Sequence, residues 1–383
     1  MQAGHVTIIG GGFGGLVGAI AMAERGWQVR LYERRPKVDS EGYGIAVQRN
    51  MAHIFRSFGV LDAVLAGGAH LDRRDSLDRY GKVLMSRPTE RSPYRVDRRH
   101  IVTILADRAQ ALGVDLRIAT TITHVTQDGC VTTADGQNHC ADLVVIANGV
   151  NSALRDESGL LAQRRMERDG AVRITIPRRV EEIEEAEAHG TPLIEAWADN
   201  RRVLYCPVDD HRFYVLMGSL ETDEAARSTP IDPDIWSRSF PSMRGFFERV
   251  KNEADWTEAR WARFQTVKLK RWSSNKIAVL GDAAHAMPPY LAQGAGHAMM
   301  NALGLAVALE RASDLTSALE AWERRERPLT DHTQRWTRIY GTTLFLPGPL
   351  KQLTIRAEQH LPWLANQYAR ATNHIPTGCE PTE

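Results

Sequence analysis

Residues 5–33 read HVTIIGGGFGGLVGAIAMAERGWQVRLYE. His5 to Ile9 is a short apolar strand, and GGGFGG (10–15) follows it directly. Gly10, Gly12 and Gly15 have G-x-G-x-x-G spacing, with Gly14 inside the same turn. Leu16, Ala19, Ile20 and Ala23 then recur at helical spacing, and Gly26 ends that helix. Gln28 to Tyr32 forms a second strand that terminates in Glu33. Strand, glycine turn, helix, strand and carboxylate together make a βαβ dinucleotide fingerprint. The glycines serve the turn, the pyrophosphate contact and helix packing, and Glu33 serves the ribose hydroxyls. Arg34 and Arg35 follow, where a contact with the adenosine edge and a solvated turn are equally good readings.

A second stretch, GDAAHAMPPYLAQGAGHAMMNA (281–302), has a related shape. The apolar run Ile277 to Leu280 precedes it, and Ala302, Leu303, Leu305, Ala306 and Leu309 follow at helical spacing. Asp282 stands where the strand ends, placed to accept a hydroxyl hydrogen bond from a cofactor's sugar-like chain. Gly294, Ala295 and Gly296 open a helix whose free N–H groups favour negative charge. The glycine fingerprint alone does not separate FAD from NAD. Its distance along the chain from Asp282 does, because FAD is long enough to span two such segments.

At 383 residues, one large or two intimately joined domains are expected. A net charge of +1 gives no basic footprint for nucleic acid, and no apolar run is long enough to span a membrane. The opening residues run into a strand without a leader pattern. Cys130, Cys140, Cys206 and Cys379 are scattered and lack CxxC spacing, so neither a disulfide framework nor a zinc or other metal site is expected. These features point to a reduced, cytoplasmic protein.

The fold class expected is α/β: a Rossmann-like FAD-binding domain with a β-sheet substrate domain inserted and a C-terminal helical segment. Residues 1–75, 98–168 and 276–340 are assigned to the FAD-binding domain, 76–97 and 169–275 to the sheet domain, and 341–383 to a helical cap. Gly42 to Ile45, including Gly44, reads as a turn lining the flavin. Arg98 opens a helix against the dipole, which favours a phosphate or flavin contact. Ala171 to Ile176, Leu193 to Trp197, Arg202 to Cys206 and Arg212 to Met217 alternate as strands of a half-buried antiparallel sheet. Period-two geometry puts Arg202 with Leu204 and Cys206, Tyr214 with Leu216, and Arg173 with Thr175. Heads snorkelling to solvent remain an alternative for such arginines.

GGGFGGLVGAIAMAERGWQVRLYER (10–34), the Arg98 helix and GDAAHAMPPYLAQGAG (281–296) together resemble the single-component, FAD-dependent aromatic hydroxylases, the group A flavoprotein monooxygenases. The resemblance covers about residues 5 to 340 and is strongest to the branch acting on pyridine carboxylates. DGAVRITIPR (169–178), RRVLYCP (201–207), STPIDPDIWSRSFP (228–241), TVKLKRW (266–272) and ALEAWERRERPLTD (318–331) carry that closer likeness. It implies that Arg202 and Arg173 lie near a substrate carboxylate, Tyr214 near the ring and Pro289 beside the flavin. Three positions depart from the pattern. Asn148-Gly149 replaces the usual Asp-Gly, and Ala46 and Arg74 replace pocket tyrosines. Arg74 would suit a second acidic group or a larger substrate.

The resemblance further implies non-covalent FAD, NAD(P)H as a transient co-substrate, and O2 delivered to an electron-rich ring through a flavin C4a-hydroperoxide. The partners implied are a small aromatic carboxylate, O2 and NAD(P)H, in a monomer or homodimer. Decarboxylating hydroxylation and a flavoprotein reductase that uses no oxygen are the competing readings. His285 and His297 are read as structural residues rather than bases.

Overall fold

A computed structural model describes residues 2–38, 43–89, 94–257 and 259–380. Gly42, read above as part of a flavin-lining turn, lies outside them. The central sheet has six strands in the order Ser273–Ser274, Ile277–Val279, Leu143–Ile146, His5–Ile9, Gln28–Tyr32 and Asp115–Arg117. His5–Ile9 pairs in parallel with both neighbours, and Leu143–Ile146 pairs in parallel with Ile277–Val279. All four residues of Leu143–Ile146 are buried, as a parallel sheet covered on both faces requires. Two helices, Phe13–Ala23 and Gly294–Arg311, cross at small residues, where a Cβ on Gly18 would lie 3.6 Å from that of Ala302. The two glycine-rich stretches are thereby packed side by side. Rossmann-like doubly wound architecture follows from residues 5–33 as expected.

The second sheet has seven strands in the order Ala262–Leu269, Leu161–Pro177, Arg212–Leu220, Arg201–Pro207, Pro192–Ala198, Arg73–Leu77 and Val83–Pro88. It is antiparallel except that Pro192–Ala198 runs parallel to Arg73–Leu77. Those strands are far apart in sequence, so no hairpin dictates their direction. One face carries Val172, Ile174, Ile176, Val203, Val215 and Met217, packed under Trp236, Phe240 and Phe247 of helices Pro233–Ser239 and Arg244–Glu253. The opposite face carries Ala171, Leu204, Cys206, Tyr214, Leu216 and Phe264. Period-two alternation therefore separates a helix-covered face from the face that carries Arg173 and Arg202. The strand read as Ala171 to Ile176 starts at Leu161. Its first half is largely exposed and charged, and holds its place by pairing with Ala262–Leu269 rather than by burial.

The expectation about cysteines is overturned. Cys130 and Cys140 form a disulfide. The polar strand Asn138–Cys140, too hydrophilic to stand out in the sequence, pairs with Cys130–Thr133 and sets the two cysteines opposite each other. The signal lies in the Asp135-Gly136 turn between them, where Gly136 has a positive φ of 85°. Cys206 and Cys379 are free.

After the 27-residue helix Leu315–Gly341, helices Gly348–His360 and Pro362–Ala369 fold back, with Tyr368 set edge-on to Trp336 and Tyr340. Among the described residues no helix is long and apolar enough to cross a membrane. Alkylation of the denatured, unreduced chain is expected to label Cys206 and Cys379 alone, with Cys130 and Cys140 labelled only after reduction. Mass spectrometry reads the outcome.

Candidate functional site

The glycine turn is shaped by sterics. Gly10 has φ of +112°, and a Cβ there would meet the Ala147 carbonyl oxygen at 2.5 Å. A Cβ on Gly15 would fall 1.9 Å from the Gly10 carbonyl oxygen, so the turn closes on itself only with glycine at this position. Gly12, by contrast, has no atom within 4 Å of a Cβ position, and the helix begins just after it at Phe13. Open space therefore stands before the free N–H groups of a helix, the setting an anionic group requires. Glu33 ends its strand by accepting hydrogen bonds from the Gly11 and Arg35 backbone N–H groups, at 2.7 and 3.0 Å.

A cavity of about 1760 Å3 runs from this turn, past Asp282, to the second sheet. It is lined by Gly10, Gly12, Gly14, Glu33, Arg34, Gly44, Ala46, Arg98, Asp282, Pro289, Gly294 and Ala295, together with Arg74, Arg173, Arg202 and Tyr214. Gly15 and Gly296 are not among its lining. Gly15 closes the turn, and Gly296 packs against the Asn50 and Gln293 amides. Asn50 Nδ2 donates to Gln293 Oε1 at 2.9 Å, and Gln293 Nε2 donates to Thr372 Oγ1 at 2.7 Å. Gln48 Nε2 donates to the Leu291 carbonyl at 3.0 Å, which fixes the loop carrying Pro289.

Asp282 faces the cavity yet is enclosed by protein on the other sides. Desolvation raises its carboxyl pKa, opposed by the positive charge of Arg98. Arg98 stacks over the Phe13 ring at 5.3 Å, between the two glycine-rich segments. The neighbouring Asp97 caps that helix by accepting from the Arg99 N–H at 2.8 Å, which offsets an arginine at its start. His285 and His297 do not line the cavity; burial lowers the first to about 4 and the second well below its usual range. Both stay neutral beside Asn301 and Thr330.

On the sheet, Arg173 stands opposite Leu216, Leu216 opposite Leu204, and Leu204 opposite Glu195. One row of the cavity face thus runs from a cation through two leucines to an anion. Glu195 was not singled out in the sequence. A carboxylate within LIEAWA, on the same face as Leu193 and Trp197, was the available signal. It is fully buried and ion-paired with Arg202, and with Arg74 at 2.5 Å. Burial raises its carboxyl, but the two guanidinium groups outweigh that, and its pKa is lowered overall. Arg74 also donates to the Tyr340 hydroxyl and lies 3.7 Å from Glu358 of the C-terminal helices. Arg173 has no carboxylate partner among the described residues and lies 5.4 Å from the Phe264 ring centroid. Arg95, also missed, stacks over Tyr214 at 5.4 Å and donates to the Gly44 carbonyl at 3.3 Å.

A dinucleotide turn and a second carboxylate-bearing helix start, facing one cleft that ends on an arginine-bearing sheet, define a flavin-dependent oxidoreductase. The chain belongs to the FAD binding domain family, whose sequence pattern matches residues 4–335. It is an FAD-dependent monooxygenase of the aromatic hydroxylase type. The tetrameric form of 2-methyl-3-hydroxypyridine-5-carboxylic acid oxygenase is similar in structure, with a TM-score of 0.85, 31% identity, and 100% of this chain and 99% of that one covered. The 2-heptyl-3-hydroxy-4(1H)-quinolone synthase of Mycobacteroides abscessus is 34% identical over 91% of this chain and 94% of its own. The 6-hydroxynicotinate 3-monooxygenase of Pseudomonas fluorescens is 27% identical over 88% and 92%. The open space before Gly12, the cleft-facing Asp282 and the length of the cavity fit FAD.

Two variants probe this architecture. Gly15→Ala is expected to abolish FAD retention, because the added methyl cannot fit against the Gly10 carbonyl; absorbance of the purified protein checks it. Glu195→Gln leaves the buried Arg202 and the half-buried Arg74 short of a counter-charge and should cost about 3 kcal/mol of stability, read by denaturant unfolding.

Proposed function

We propose that this monooxygenase takes reducing equivalents from NAD(P)H and inserts one atom of O2 into an electron-rich benzene or pyridine ring that bears a carboxylate. The observation that carries this reading is Arg173. Arg173 is a half-buried cation opposite Leu216 and beside Phe264, has no carboxylate partner among the described residues, and lines the cavity where an anion can meet it. A substrate carboxylate would bind there through charge-assisted hydrogen bonds. Tyr214 would meet a ring nitrogen or hydroxyl.

FAD would be held by the 10–15 turn, Glu33, Arg34 and Arg98 at one end, and by Asp282 with the Gly294–Gly296 helix start at the other. When bound, it supplies the electron transfer and oxygen activation that the reaction needs. The chain's own task is to orient the ring beside Pro289 and keep water out. Tyr340 at the end of the long helix and Tyr368 and Ala369 beyond it line the cavity and would help to keep water out. Hydroxylation, ring opening and loss of the carboxyl group are separate fates of the same insertion, and product mass distinguishes them.

A second reading has its own observation. Glu195 already compensates Arg202 and Arg74, which suits an uncharged heteroaromatic ring better than a second acidic group. The relative named as a quinolone synthase gives that reading a concrete substrate class. A panel of hydroxylated benzene and pyridine carboxylates and 2-alkyl-4-quinolones, scored for substrate-stimulated NAD(P)H oxidation and O2 uptake, decides between them. On the carboxylate reading, Arg173→Ala raises KM about 10- to 100-fold for the acids, the loss of one charge-assisted contact. Turnover of alkylquinolones with an indifferent Arg173→Ala variant would overturn it.

A further inference from the structure

Arg95 is a buried cation with no part in the reading so far. It is the middle residue of strand Tyr94–Val96 and is only 7% exposed, yet it lines the cavity. Its partners across the small three-stranded sheet are Ala46 on one side and Ala69 on the other, so its neighbours on that face are both alanines. A Cβ on Gly44 would fall 2.8 Å from the Arg95 side chain and 2.9 Å from Val208. Small residues around it leave room for one long side chain, and the arginine fills it.

Its head reaches beyond its own sheet to the second one. The guanidinium stands 5.4 Å from the Tyr214 ring centroid, donates to the Gly44 carbonyl at 3.3 Å and bonds to the Cys206 thiol. Burial raises that thiol's pKa, and the positive charge of Arg95 opposes the rise. None of these three partners is an anion. Among the described residues Arg95 has no carboxylate partner, and its Nε is buried without a hydrogen bond. A guanidinium keeps its proton in a folded protein, so the charge persists, and a buried charge without a counter-charge is strongly destabilising. Arg202 is buried to a similar degree and shows the contrast, because Glu195 is paired with it.

We propose that Arg95 binds a second anionic group of the substrate, so that the ring taken by this site carries two acidic groups, one at Arg173 and one at Arg95. This deepens the carboxylate reading and rests on it. The two cations border the same part of the cavity. Tyr214 lies beneath Arg95, and Arg173 is the diagonal neighbour of Tyr214 across the sheet, about 7–8 Å away. A ring set against Tyr214 therefore has a cation towards either end. Arg74, which the sequence offered for a second acidic group, is spent on Glu195, Glu358 and the Tyr340 hydroxyl. Arg95 takes that part instead.

The preference follows from what each substrate leaves behind. A ring with a neutral substituent at this place leaves the guanidinium buried and unpaired. An acidic substituent supplies the counter-charge through charge-assisted hydrogen bonds, with the unused Nε as one donor.

The test is binding to the oxidised, FAD-loaded enzyme without NAD(P)H, read from the change in flavin absorbance as ligand is added. The probes are 3-hydroxybenzoate and two diacids that differ from it by one further carboxylate, 5-hydroxyisophthalate and 2-hydroxyterephthalate. At least one diacid should bind the wild type about tenfold or more tightly than the monoacid, the gain from one charge-assisted contact. Arg95→Gln should erase that gain, and Arg95→Lys should keep part of it. Ala46→Tyr, which sets a ring beside the guanidinium, should reduce it with Arg95 still present. Arg173→Ala should weaken all three acids. Diacids that bind the wild type no more tightly than the monoacid would overturn the proposal, as would an Arg95→Gln enzyme that keeps the gain. Should Arg95→Gln fail to fold, the wild-type comparison and Ala46→Tyr still decide. A wild type that binds none of the three acids would instead overturn the carboxylate reading beneath the proposal, so the two failures are distinguishable.

Discussion

The constraint on which the structure depends is the close approach of backbone at the first turn. Gly15 brings its α-carbon against the Gly10 carbonyl, where any Cβ would sit 1.9 Å from oxygen. That contact lets helix Phe13–Ala23 follow strand His5–Ile9 with only the turn Gly10, Gly11 and Gly12 between them. Gly14 extends the same economy to the second segment, since a Cβ there would meet Leu280 at 2.5 Å and Ala298 at 3.5 Å. Two helix starts, distant in sequence, thus open onto one cleft. A cofactor long enough to touch both is a consequence of that packing.

The second sheet completes the site by using its two faces differently. Large aromatic side chains from Pro233–Ser239 and Arg244–Glu253 cover one face and fix the sheet's position. The other lines the cavity, with apolar residues interrupted by arginine, glutamate and tyrosine. Burying Glu195 with Arg74 and Arg202 is not a route to stability in itself, since desolvation of the three ions offsets much of their attraction. What the cluster does supply is definition. Each guanidinium has a fixed direction, and the uncompensated charge on the cavity face is left at Arg173.

Much of this was legible in the sequence because glycine geometry and strand alternation are local properties. The strands His5–Ile9 and Gln28–Tyr32 have the bounds their residues suggest, and the Arg98 helix begins where expected. Period two grouped Arg202 with Leu204 and Cys206, Tyr214 with Leu216, and Arg173 with Thr175, and pairing across the sheet brings those groups onto one face. What was not legible depends on pairing between distant strands. Asn138–Cys140 is polar and short, so only its hairpin partner makes it a strand, and with it the disulfide. Glu195 is a single acid whose meaning comes from the cations that other segments bring to it. Arg74 was read by its charge alone, and its partners lie on three separate elements.

Those partners link substrate shape to the end of the chain. Arg74 is anchored to Glu195 in the sheet, to Tyr340 at the end of the long helix, and to Glu358 beyond it, while Arg87 adds a second contact to Glu358 at 3.4 Å. The C-terminal helices are therefore held over the cavity by the same charges that balance its interior. A change that altered the pocket's charge would also loosen the wall that excludes water, and a change in the wall would release Arg74 towards the substrate. Charge balance and closure are one property of this network.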